Sequence, residues 1–108
     1  MQPGDMDRRI VIRRATRTAD VFNEPVETWS DHLRVWAAKK DISDRERLQA
    51  AEIGATITTR FTVRWSEAAS RVTPKDRIAL DGRSYDIHGI KEVGRRRFLE
   101  ITASARAE

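Results

Sequence analysis

Between Ile57 and Trp65 the chain alternates with period two. Ile57, Thr59, Phe61, Val63 and Trp65 fall on one side of an extended strand, and Thr58, Arg60, Thr62 and Arg64 on the other. One face asks for a core; the other is basic and rich in threonine. RRIVIRR, Arg8 to Arg14, has the same character, with Ile10 and Ile12 on one face and Val11 among Arg9 and Arg13 on the other, a β-branched run that predicts a strand. The polar segment TRTADVFNEPVET, with Asn23 and Pro25, predicts a loop. In WSDHLRVWAAKK, Leu33, Val35, Trp36 and Ala37 predict a second strand whose imperfect alternation fits a bulge or burial on both faces.

The period changes in SDRERLQAAEIGA. Ser43 followed three residues later by Glu46 is a capping box, and Gly54 is placed to close the helix in the left-handed conformation. The apolar stripe of Leu48, Ala51 and Ala55 is thin, so this helix buries little and is marginal unless it docks on something. EAASRVTP reads as a connection in which Pro74 bars helix. KDRIALDGRSYDIHGI predicts a hairpin around Asp81-Gly82, the two positive-φ positions of a type I′ turn, with Ile78 opposite Tyr85 and Leu80 opposite Arg83. Ile78, Leu80, Tyr85 and Ile87 then share a face. A turn around Gly94 leads to RRFLEITAS, where Leu99 and Ile101 alternate with Phe98 and Glu100, and the tail after Ser104 is expected to fray.

These elements predict a mainly β fold: a small antiparallel barrel or sandwich of about six strands, with one short helix between the second and third. Candidate core residues are Ile10, Ile12, Phe61, Val63, Trp65, Ile78, Tyr85 and Leu99. With 108 residues, the chain is expected to form a single domain, ordered over 7–104, with an insertion at 41–56 and flexible termini. A domain of this size buries roughly two-thirds of its unfolded surface, enough for one modest core.

Composition narrows the chemistry. With no cysteine, neither a disulfide framework nor a thiolate metal site is available. The start MQPGDMDRR lacks the apolar core of a signal peptide, and no apolar run approaches the ~20 residues of a membrane helix. The expectation is a soluble chain made in a cytoplasm, with no membrane partner. Lys and Arg number 21 against 17 acidic residues, for a net charge of +4. Such a balance suits contact with phosphate or with acidic proteins.

His32 and His88 each sit inside a predicted strand without a metal-ligand partner at close spacing, and no nucleophile elbow, P-loop or H-E-x-x-H appears. Asp41, Asp44 and Glu46 cluster at the helix start, where capping and dipole roles account for them. No catalytic residue, metal site or cofactor is expected. RFTVRW superficially resembles the RNA-recognition strand whose exposed aromatics stack on bases. The geometry does not fit, because Phe61, Val63 and Trp65 share the apolar face with Ile57, and the motif's glycines are missing. Trp29 and Trp36 read first as core or rim packing, with one of them a possible interface anchor. The turn Arg95-Arg96-Arg97 is either a solvated hairpin tip or a contact for DNA phosphate or an acidic neighbour.

Taken in order, RRIVIRR, the Trp29 segment leading to VWAAKKDISDRE, AAEIGA, FTVRW and RIALDGRSYDIHGIKEVGRRRFLEI resemble the phage head-tail joining proteins, also called head closure or stopper proteins. The resemblance runs nearly end to end and rests on the combination of these pieces. It implies a structural, non-catalytic role in the neck of a tailed phage or gene transfer particle: a homo-oligomeric ring below the portal and its adaptor, above a tail-terminator or tail-tube protein, helping to retain packaged double-stranded DNA through non-specific contact. In that family the segment between the second and third strands faces the channel and can act as a gate. Here it is Asp41 to Thr56, with Asp44, Glu46, Leu48 and Gly54 within it.

A closed ring needs two different complementary patches on each subunit. Thr58, Arg60, Thr62 and Arg64 supply a candidate subunit-facing or channel-facing wall, joined by Arg95, Arg96 and Arg97, and the acidic helix start is a candidate partner patch. The competing class is a free-standing nucleic-acid-binding barrel of the OB or SH3-like kind, which would bind single strands tightly and with a steep salt dependence.

Overall fold

Alternation along short strands is satisfied when a sheet curls until its apolar face meets itself. In the computed structural model, which describes residues 5–54 and 56–106, six antiparallel strands do this. The elements are β1 Arg8–Ala19, β2 Pro25–Asp41, α1 Asp44–Glu52, β3 Thr59–Arg64, α2 Glu67–Ser70, β4 Arg77–Leu80, β5 Arg83–Val93 and β6 Phe98–Ala105. The barrel closes in the order β1-β2-β3-β6-β5-β4, with β4 returning to β1 through Val11 opposite Ala79 and Arg13 opposite Arg77. Full closure leaves no open sheet edge around the core.

Phe61, Ile10, Ile12, Ile78, Ile101 and Val63 fill the interior and are almost wholly shielded from solvent. Phe61 meets Tyr85 edge-on, with ring centroids 5.1 Å apart. Leu99 and Ile87 are also buried. Trp65, expected in the core, is instead half-buried at the rim. β3 ends at Arg64, and the Trp65 N–H donates to the Arg97 carbonyl at 2.9 Å as the chain turns into α2. Ile57, at the other end of the alternating run, likewise lies outside the strand and only partly buried.

Register follows the turn chemistry. Asp81 and Gly82 both have positive φ, 50° and 77°, and Ile78 faces Tyr85 while Leu80 faces Arg83. The irregularity in β2 is a bulge: Ile12 pairs with Leu33 but Arg13 with Asp31, so His32 is the extra residue. β5 has a second bulge at His88, where Ile87 pairs with Ala103 and Gly89 with Thr102. The His88 ring Nε2 lies 2.7 Å from Ser104 Oγ.

Two connections and the end of the last strand differ from the sequence expectation. The polar segment after β1 is mostly strand: Thr16 to Ala19 pair with Pro25 to Thr28, and the turn is only Asp20 to Glu24. Strand pairing within the ribbon supplies the backbone hydrogen bonds that the side chains do not advertise. EAASRVTP contains the helical turn α2, capped by Ser66, whose Oγ accepts from the Ala69 N–H at 3.0 Å, and it buries Ala69 and Val72. β6 continues past Ser104, with Ala105 opposite Tyr85. Of the termini expected to be flexible, outside 7–104, residues 1–4 and 107–108 lie outside the described residues, as does Ala55 of the expected helical stripe.

Candidate interface surfaces

The inserted segment is anchored at its base and exposed along its length. Ile42 is buried, and its N–H donates to the Thr58 carbonyl at 3.0 Å. Ser43 Oγ then caps α1 by accepting the Glu46 N–H at 3.3 Å. Gly54, at φ 79°, closes it by donating to the Ala51 carbonyl at 3.0 Å. No residue of α1 is buried, and Leu48 is 68% exposed. Asp44 stays within its own turn, 3.7 Å from Arg47, and Asp41 lies 4.0 Å from Lys39.

The other half of the capping box goes elsewhere. The Glu46 carboxylate turns to β3, where Arg60 Nη2 donates to its Oε1 at 2.7 Å. Arg60 Nε lies 3.2 Å from Glu100 on β6, so one guanidinium joins two carboxylates. The hydrogen bond from Arg60 holds the Glu46 carboxyl below the usual carboxylate range, with the charges of Arg60 and Lys40 adding to it. The same bond, together with the charges of Glu46 and Glu100, raises Arg60 despite its partial burial.

The four side chains of the row Thr58, Arg60, Thr62, Arg64 are therefore engaged differently. Thr58 Oγ1 accepts the Ala105 N–H at 2.9 Å, sealing the end of the β3–β6 ladder. Arg60 is engaged within the chain, by the very acidic patch expected to meet it on a neighbour. Thr62 is half-buried beside Glu100, its partner in register. Arg64 is exposed and, among the described residues, its side chain makes no hydrogen bond or salt bridge. It opens instead onto a cleft of about 550 Å³ lined by Met6, Arg9, Arg34, Val35, Trp36 and Ser66. There the Arg9 guanidinium lies 5.3 Å from the centre of the Trp36 ring.

The basic turn projects from the opposite side of β3's rim. Gly94 and Arg96 have positive φ, 69° and 54°, and the Arg96 N–H donates to Glu92 Oε1 at 3.0 Å. Arg96 stacks 5.1 Å from the centre of Trp65, and Arg97 lies 5.9 Å from that of Phe98. Stacking orders these two cations while leaving their charge exposed to solvent. Arg95 is exposed without a ring partner among the described residues.

Two features escaped the sequence reading. One is a clasp between β1 and the loop before β4, where Arg14 Nε and Nη2 each donate to Asp76 at 3.0 Å and Nη2 also reaches the Arg71 carbonyl at 2.9 Å. Burial pushes the Asp76 carboxyl up, but hydrogen bonds from Arg14 and from the Thr73 N–H outweigh it and hold the group below its ordinary value. The other is the β1–β2 ribbon tip, with Val21 and Phe22 in open solvent. Its one sequence signal was two large apolar residues set between Asp20 and Asn23 in a polar stretch. Among the described residues no cluster of three or more His, Asp or Glu side chains could hold a metal ion, and no helix is long and apolar enough to cross a membrane.

Residues 1–106 match the family model described as phage head completion protein. The chain belongs to that family. It is 32% identical over 81 residues to head completion protein gp7 of Enterobacteria phage HK97, a match that covers 74% of this chain and 69% of that protein. The solution structure of protein SF1141 from Shigella flexneri 2a superposes with a TM-score of 0.80 at 28% identity, covering 100% of this chain and 99% of that one. A chain in the virion of a native gene transfer agent particle shares the fold, with a TM-score of 0.58 at 23% identity over 90% of this chain and 91% of its own. The head completion proteins are structural virion components and not enzymes, and the motif resemblance pointed to the same family.

Proposed function

We propose that this head completion protein closes the filled head as a homo-oligomeric ring in the virion neck. It would sit between the portal with its adaptor and a tail-terminator or tail-tube protein, and help retain packaged DNA. The observation that carries this reading is α1: a capped, fully formed helix with no buried residue, held to a closed barrel by the Arg60–Glu46 pair. An element so lightly attached can swing without disturbing the core, as a gate at a channel must. Arg95, Arg96 and Arg97 offer exposed cations for non-specific phosphate contact.

Electron microscopy of particles assembled with and without the chain tests the proposal. Rings of density below the portal, and DNA lost from heads that lack the chain, are the expected results. A monomer that grips single-stranded DNA with a steep salt dependence, and is absent from particles, would reverse the reading in favour of a nucleic-acid-binding barrel.

A further inference from the structure

Beyond Arg13 the β1–β2 ribbon leaves the barrel. β4 pairs with β1 only over Val11 to Arg13, so Arg14 to Ala19 and Pro25 to Ser30 pair only with each other. The molecule is accordingly elongated, 49 × 33 × 26 Å. At the tip Val21 and Phe22 are 94% and 81% exposed. The turn that presents them is built rather than loose: the Asp20 carboxylate accepts the N–H groups of Phe22 at 2.8 Å and Glu24 at 2.9 Å. The Asp20 N–H donates to the Glu24 carbonyl and the Asn23 N–H to the Asp20 carbonyl, both at 3.0 Å, with Asn23 at φ 62°. Among the described residues nothing covers the aromatic ring so displayed. A fixed turn holding a phenylalanine in water is pre-ordered for docking, since little entropy remains to be lost on binding.

The matching surface is the cleft at the other end of the same strands. Its floor is Val35 and the half-exposed Trp36, and its cations are Arg9, Arg34 and Arg64. The tip carries Asp20 and Glu24 beside its two apolar residues; among the described residues Glu24 has no side-chain partner. An apolar tip with two carboxylates thus complements an apolar floor with three guanidiniums, of which Arg34 also lies 3.3 Å from Asp31. Trp and Arg together are the residue types that carry most interface energy. At about 3.3 Å per strand residue, the tip and Trp36 lie roughly 35 Å apart, so one chain cannot dock its own tip in its own cleft. A donor at one end and a socket at the other generate a head-to-tail contact, which becomes a ring when the rotation closes.

We infer that the Val21–Phe22 tip of one copy inserts into the Arg9–Arg34–Arg64–Trp36 cleft of the next, forming the subunit contact of the ring. This rests on the head-closure reading above and names its interface. The test uses particles assembled with a chain carrying the photo-reactive residue benzoylphenylalanine in place of Phe22, with retained DNA scored alongside. Photolysis is expected to give dimers and higher ladders of the chain, with the cross-link mapped by mass spectrometry to Met6, Val35 or Trp36. In the same photo-reactive background, Glu24→Arg and Arg64→Glu are each expected to lower the yield about fivefold, and the two together to restore it. Cross-links to another virion protein, cross-links to another face of the chain, or no rescue by the charge swap, in particles that keep their DNA, would overturn the inference and leave head closure standing. Absence of the chain from particles would instead remove the head-closure reading, and the inference with it.

Discussion

Arg60 on β3 and Glu46 on α1 share two hydrogen bonds, at 2.7 and 3.5 Å, and among the described residues no other pair of residues ties that helix to the barrel by a hydrogen bond or salt bridge. The chain thus has a core element and a tethered element, joined by one guanidinium that also leans on Glu100.

Removing the tether is expected to release the helix and spare the barrel. In Arg60→Ala or Glu46→Gln, amides of residues 44–52 should exchange several-fold faster while those of β3 and β6 keep their protection. Hydrogen exchange read by NMR checks this, and equal loosening of both regions would contradict it.

Acid should act on the same contact. Glu46 has a folded pKa below its unfolded value, so its contribution is complete above about 4.3 and is lost as pH falls through the lowered folded value. Protection of α1 is expected to hold from neutral pH to about 5 and to decline below about 4. In Glu46→Gln the decline disappears.

The Arg14–Asp76 clasp should matter to the whole fold. Asp76 is almost fully buried, and Arg14→Ala leaves its carboxylate, among the described residues, with only the Thr73 N–H for a donor. Urea unfolding is expected to show a loss of roughly 2–4 kcal/mol. Arg14→Lys should recover little of it, because an ammonium cannot supply the two parallel bonds that a planar guanidinium makes.

Core and rim aromatics should separate cleanly. Phe61 is fully enclosed against Tyr85, so Phe61→Ala should cost about 3–5 kcal/mol. Trp65 is half-buried under Arg96, and Trp65→Ala should cost about 1–2 kcal/mol. Equal costs in a denaturant titration would place Trp65 in the core after all.

Local chemistry made much of this legible in advance. Asp81-Gly82 named its hairpin and register because two successive positive-φ positions admit few residues. Ser43 and Gly54 marked both ends of α1 for similar reasons. The partners of the candidate wall were not legible in the same way. Period-two alternation put Arg60 and Arg64 on one face but could not reveal that Glu46, on another element, would occupy the first and leave the second open. The long ribbon was hidden because a two-stranded, solvated hairpin is written in polar residues, as a loop is.

By itself the sequence determined what depends on neighbours in the chain: strand faces, turn types, helix caps and the apolar set that must be enclosed. Closure of the barrel, the end of β3 before Trp65, the Arg60–Glu46 tether, the Arg14–Asp76 clasp and the separation of ribbon tip from cleft were decided by tertiary structure alone. Each joins groups distant in sequence, and a charge or an aromatic ring shows no preferred partner until packing brings one within a few ångströms.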